Sequence, residues 1–173
     1  PSMSEDNRRY FAAVPRNRDV ILDVLTRVLP TKGTVLEIAS GSGEHGVHFA
    51  SHLPGINWLP TDADHELLAS INAWRASSNL KNLQPARWLD VLQEPWPTLQ
   101  VDAVVNINML QVSSWQACLA LFEGVAGVLK TGSPLVMYGP YQRGGKHTSE
   151  SNAHFDATVR EKNPEWGVRN LDD

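Results

Sequence analysis

The sequence predicts an open, doubly wound, mostly parallel α/β sheet. Three observations predict it. Short apolar runs alternate with stretches of helical period along the chain, the pattern of βαβ units with right-handed crossovers. The run Val101–Ile107 is almost continuously apolar, as a strand buried on both faces requires. Val35–Ala39 runs directly into Ser40-Gly41-Ser42-Gly43 and then into a helical pattern, which is a strand–turn–helix unit.

The elements follow in order. Residues 1–16 are polar, apart from a patch around Tyr10 and Phe11, and Met3 reads as a chain start. Val20, Ile21, Val24, Leu25 and Val28 recur at helical spacing, with Asn17 as the expected N-cap and Pro30 as the stop. The first strand is Val35–Ala39, and His45–Leu53 forms the helix after the turn. Ile56–Thr61 reads as the second strand and Asp64–Ser77 as a helix capped by Asp64. Pro85–Leu89 is a short third strand and Val101–Ile107 the fourth. Trp115, Leu119, Phe122, Val125 and Leu129 make a helical stripe opened by Ser113 or Ser114, and Gly132 ends it. Pro134–Gly139 is the fifth strand. Phe155 and Val159 mark a last helix that starts near Ser149 or Ser151, and Gly144–Asp173 contains no further strand pattern.

No linker or repeat divides the 173 residues, so residues 1–173 read as a single domain with room for a real core. A formal charge of -4 argues against a general affinity for nucleic acid or anionic membrane. The single cysteine, Cys118, leaves no intrachain disulfide and no cysteine metal cluster. No apolar run approaches the roughly 20 residues that cross a bilayer. There is no signal-peptide core, and the expected compartment is the cytoplasm. His45, His48 and His52 share one helix, but the outer two stand about 10 Å apart at helical rise. That is too far for all three to share one ion, and no metal is expected.

The chemistry concentrates after the first strand. Gly41, Gly43 and Gly46 satisfy a dinucleotide fingerprint, whereas Glu37 with glycines four and six residues on satisfies the acidic-plus-glycine pattern of S-adenosylmethionine sites. Charge separates the two. A dinucleotide would place its anionic pyrophosphate over this turn, and a carboxylate emerging from the strand would repel it. A sulfonium and an ammonium would instead be attracted to Glu37. On that reading Gly46 is incidental. Asp62 closes the second strand, where a carboxylate can accept both hydroxyls of a ribose. Asp90 follows the third strand; it can accept from an adenine amino group while the Val91 amide donates to the ring, or it can cap a turn.

This constellation resembles the class I S-adenosylmethionine-dependent methyltransferases. More narrowly, the chain is similar to a small methyltransferase-like family that includes human methyltransferase-like protein 26. The likeness lies in Arg16-Asn17, Glu37 through His45, and Trp58-Leu59-Pro60-Thr61-Asp62. It continues in Asn106 through Gln111 with Trp115, in Tyr138-Gly139-Pro140-Tyr141, and in Thr148 through Asn152 with Phe155-Asp156 and Trp166-Gly167-Val168-Arg169. The resemblance implies a Rossmann-like sheet of order 3-2-1-4-5. It implies that Glu37, Ala39, Ser40, Gly41 and Gly43 hold the methionine part of the cofactor, Asp62 the ribose, and Asp90 with Val91 the adenine. The class usually adds a sixth and a seventh strand. The chain therefore reads as C-terminally shortened, with the fifth strand left as a sheet edge that invites a homodimer. Two positions depart from the pattern. Ala39 replaces a glycine, which suits a residue of negative φ. Gln111 stands where the family carries histidine, and an amide cannot titrate.

Other candidates surround this core. His45, in the first turn of its helix, can touch the cofactor, and Arg16 can pair with its carboxylate or lie on the surface. Asn108, at the end of the fourth strand, can contact the cofactor and the acceptor, or cap the strand end. Gln111, Tyr141, Ser149 and Asn152 are the remaining candidates for an acceptor pocket, with Ser149 and Asn152 alternatively capping the last helix. Tyr141 and His147 are the candidate bases, and Arg143-Gly144-Gly145-Lys146-His147 reads as a mobile basic loop. The expected activity is methyl transfer from S-adenosylmethionine to a small-molecule acceptor. Two alternatives stay open: a binding module that keeps the cofactor but methylates nothing, and an NAD(P)-dependent oxidoreductase.

Overall fold

The computed structural model describes residues 6–173; Met3 lies outside them. Ten regular elements follow the predicted order: α1 (Val14–Val28), β1 (Gly33–Ile38), α2 (Glu44–His52), β2 (Ile56–Asp62), α3 (His65–Ser78), β3 (Arg87–Trp88), β4 (Ala103–Ile107), α4 (Trp115–Val128), β5 (Leu135–Tyr138) and α5 (Glu150–Lys162). A single 3-10 turn, Leu110–Val112, precedes α4. The sheet has the order β3-β2-β1-β4-β5 with every pair parallel. It is five-stranded among the described residues, and half-buried β5 forms one edge.

The pleat sends alternate side chains to opposite layers. Val35, Ala103, Val105 and Ile107 pack with Ile21, Leu25 and Phe49 of α1 and α2 on one face. Leu36, Ile38 and Val104 pack with Ala117, Cys118, Leu121 and Val125 of α4 on the other. β1 and β4 are thus covered on both sides, which explains their unbroken apolar character. β3 shrinks to two exposed edge residues, because Pro85 can donate no ladder hydrogen bond.

Two local expectations are corrected. α1 begins at Val14 with Pro15 in its first turn, so Asn17 is no cap. It is buried and accepts a 2.9 Å hydrogen bond from His45 Nε2, tying α1 to α2. The α4 stripe is also different. Val125 of the expected stripe is buried and Leu129 partly so, but Trp115, Leu119 and Phe122 are exposed, and Ala117, Cys118, Leu121 and Val128 complete the face on the sheet. α4 is apolar on more than one side, and spacing alone offers two equally regular stripes. The Arg143–His147 loop is a tight turn in which Arg143 and Lys146 exchange backbone hydrogen bonds at 2.9 and 3.0 Å. Asp172 anchors it through the Gly144 amide.

The chain after α5 folds back over the carboxyl ends of the strands. The Gly167 amide donates to the Gln111 carbonyl at 3.0 Å, and the Gln142 amide to the Arg169 carbonyl at 2.7 Å. This return brings Trp166 next to β1 and the loop after β3.

Candidate functional site

Leaving β1, the backbone must turn sharply towards α2. Three hydrogen bonds pin that turn to β2. The Ser40 amide donates to the Thr61 carbonyl at 2.8 Å, the Thr61 amide to Ser40 Oγ at 3.0 Å, and the Gly41 amide to Asp62 Oδ2 at 3.0 Å. This frame forces Ala39 to φ +56°, which overturns the negative φ expected for it. A left-handed alanine costs about 1–2 kcal/mol, which the surrounding bonds hold in place. Gly43 combines φ +97° with a close approach of α3: a Cβ there would lie 2.7 Å from the Ile71 backbone. Gly41 lets the Phe11 ring close over the turn, since an added Cβ would stand 2.9 Å from it.

Three cavities line up along the strand ends. The first, about 390 Å³, is bounded by Ala39, Asp62, Asp90, Val91, Met109 and Trp166, among others. The second, about 170 Å³, lies over the turn and is bounded by Phe11, Glu37, Ser40, Gly41 and His45. The third, about 710 Å³, has Arg16, Asn17, Gln111, Tyr138, Asn152 and Phe155 in its wall. Ala39 is shared by the first two; Asn108 and Ala13 are shared by the second and third. Asn108 is also left-handed, at φ +54°, so both junction residues that carry side chains at positive φ sit where the cavities meet. A separate groove of about 600 Å³, between the Glu94–Leu99 segment and α4, lies away from the strand ends.

Glu37 is 1% exposed. Trp58 Nε1 donates to its Oε1 at 3.1 Å, and no cation pairs with it among the described residues. Burial raises its pKa to about 7, partly offset by hydrogen bonds from Ser40 and Trp58. Asp62 also has a raised pKa through burial. The amides of Gly41 and Asp64 occupy one lone pair on each of its oxygens, leaving others free. Asp90 accepts from the Leu92 amide at 3.0 Å, so it caps a turn while it faces the first cavity. Burial lowers the pKa of His45 to about 4, so its ring is neutral; the Nε2 proton goes to Asn17.

The structure separates the remaining candidates. Arg16 lies in the wall of the third cavity. Gln111 lines the third cavity, and its Nε2 donates to Asn108 Oδ1 at 3.2 Å. Asn152 reaches the third cavity, but Ser149 does not; its Oγ caps α5 by accepting from the Asn152 amide at 3.1 Å. Tyr141 lines none of the three cavities. Its ring packs beneath Gly139, its hydroxyl is buried without a partner, and burial pushes its pKa to about 12. His147 is likewise absent from the walls, paired with Asp156 at 3.3 Å. Both candidate bases thus stand outside the walls of the three cavities, Tyr141 packed on the α4 side of the core and His147 against Asp156 of α5. Sequence reasoning missed Phe11, Met109 and Trp166 as cavity walls. Met109 follows β4 directly, whereas Phe11 and Trp166 are brought to the site by segments distant in sequence, and the inclusion of Met109 and Trp166 in the family segments was the signal for them.

Residues 8–173 match the family described as "Protein of unknown function (DUF938)". Among solved structures, the fold is shared with the YcgJ protein from Bacillus subtilis at TM-score 0.70 and 15% identity, covering 91% of this chain and 64% of that one. An O-methyltransferase family protein from Burkholderia thailandensis matches at TM-score 0.73 and 15% identity, over 92% of this chain and 49% of that one. PigF with SAH matches at TM-score 0.76 and 13% identity, over 92% and 48%. Likeness at these identities shows a shared Rossmann-like α/β fold alone, and the chain spans less than two thirds of each of these structures.

Proposed function

We propose that this chain, which belongs to the DUF938 family, binds S-adenosylmethionine across the first two cavities and serves methyl transfer to a small molecule in the third. One observation carries the reading: a fully buried carboxylate, Glu37, faces a small cavity and has no cationic partner among the described residues. Burying a lone carboxylate is costly unless a cation completes it. The ammonium of the cofactor's methionine part is such a cation, whereas a pyrophosphate at the same place would be repelled.

In this reading Glu37 holds the ammonium at the small cavity over the turn. The unused lone pairs of Asp62 take the ribose hydroxyls, and Asp90 with the Val91 amide takes the adenine. The bound cofactor supplies an electrophilic methyl group. The chain supplies placement: Asn108, at the junction of the second and third cavities, stands beside the point where methyl and acceptor would meet. In-line positioning alone accounts for a large part of the acceleration in such transfers. A non-catalytic binding role is the second reading, favoured because neither Tyr141 nor His147 reaches the third cavity.

Calorimetry with S-adenosylmethionine, S-adenosylhomocysteine and NADH tests the cofactor. The first two are expected to bind, and Glu37→Gln is expected to weaken them about tenfold to a hundredfold, the worth of a charged hydrogen bond. Binding of NADH alone, or an unchanged affinity in Glu37→Gln, would overturn the reading. Release of S-adenosylhomocysteine with a supplied acceptor separates transfer from mere binding.

A further inference from the structure

We infer that the third cavity takes an acceptor that is already an anion at neutral pH, a thiol or a hydroxyl acidified by its own aromatic ring, and that Arg16 is the residue that selects it. The inference rests on the proposed methyl transfer and names its substrate class. The wall of the cavity has an uneven chemistry. Its polar groups are four carboxamides, those of Asn17, Asn108, Gln111 and Asn152, and the phenol of Tyr138. Arg16 is its only charge, and the wall holds no carboxylate, imidazole, amine or thiol among the described residues.

Two consequences follow. First, Arg16 makes no ion pair among the described residues, and its Nε rests on the Ala12 carbonyl at 3.3 Å, leaving the other guanidinium N–H groups free. A guanidinium keeps its charge at any working pH and binds anions through several parallel N–H groups. An ammonium-bearing acceptor would meet repulsion here with no carboxylate to offset it. The rings of Tyr138 and Phe155 offer apolar walls to a flat molecule. Second, no group in the wall can take a proton near neutrality. His45, behind Asn17, is neutral with its Nε2 proton already committed, and Tyr141 and His147 lie outside the wall, the first with a buried hydroxyl and the second against Asp156. The acceptor must therefore lose its proton to water before the transfer.

The step balances without a base. A lone pair on the acceptor anion forms the new bond to the methyl carbon. The bond from methyl to the sulfonium sulfur breaks, and its electron pair stays on sulfur. An anion and a cation become two neutral molecules, so charge is cancelled as the bond forms.

The test uses ring-substituted thiophenols and nitrophenols of different acidity, with benzylamine and benzyl alcohol for contrast. At saturating S-adenosylmethionine, kcat/KM is expected to rise with pH and level off at each acceptor's own pKa. An inflexion common to all acceptors would reveal a base in the protein and overturn the inference, as would preference for the amine or the alcohol. Binding is read separately, by calorimetry of thiophenolate with and without S-adenosylhomocysteine. Arg16→Gln is expected to weaken thiophenolate about tenfold, with Arg16→Lys intermediate and S-adenosylhomocysteine unaffected. If Arg16→Gln weakens S-adenosylhomocysteine instead, Arg16 serves the cofactor and the inference fails. If S-adenosylhomocysteine never binds but thiophenolate still depends on Arg16, the functional proposal falls and the anion site stands.

Discussion

At the scale of single residues, two side chains carry a cost that the fold alone does not require. Glu37 is a carboxyl sealed between β1 and β2, with a pKa raised from 4.5 to about 7 by burial. Between those values the folded chain keeps a proton that the unfolded chain has released, so this group makes stability fall as pH rises through the window. Its full contribution above pH 7 is about 3 kcal/mol against folding. Glu37→Gln removes it. The stability difference between Gln and Glu, read from urea midpoints, is expected to grow in favour of Gln from pH 4.5 to about 7 and then level off. A difference independent of pH would show that Glu37 is not titrating in this range. A variant more stable yet poorer in cofactor binding is what a site residue gives and a packing residue does not. Ala39 is the second case. Replacing it with glycine relieves a left-handed alanine, and Ala39→Gly is expected to add about 0.5–1 kcal/mol after the extra chain entropy of glycine is subtracted. Loss of stability in that variant would mean that φ at residue 39 is not what holds the turn.

At the scale of elements, α4 shows how an apolar helix chooses a face. Both stripes have helical spacing, but Leu121 is fully buried against β1 and β4 while Phe122 is 48% exposed. Leu121→Ala is expected to cost about 2–5 kcal/mol, the range for a deleted core leucine. Phe122→Lys is expected to stay within about 0.5 kcal/mol of the wild type, as a surface change does. Thermal or urea unfolding of the two variants checks this, and equal destabilisation would restore the stripe read from spacing. Packing decides because the smaller residues, Ala117 and Cys118, let α4 approach the sheet closely, whereas Trp115, Leu119 and Phe122 would hold it off. α1 behaves alike: Ile21 and Leu25 go inward, while Val20, Val24 and Val28 stay exposed.

At the scale of the whole molecule, the alternation of strands and helices, the β1 turn, and the carboxylates at three strand ends were legible in the sequence. Each is local: strand and helix periods, glycines in a turn and a carboxylate after an apolar run are written within a few residues. The sheet order followed from the resemblance that those residues carry, and the structure has it. The tertiary structure alone decided what depends on distant chain segments. It set φ at Ala39, because the end of β2 grips the turn. It gave Asn17 to His45 rather than to a helix cap. It left Tyr141 and His147 outside the cavity walls, and it brought Phe11 and Trp166 to them. The reason is physical. Local sequence fixes conformational preference and charge, while the direction of a side chain and its hydrogen-bond partners are fixed only when far-apart segments compete for the same space.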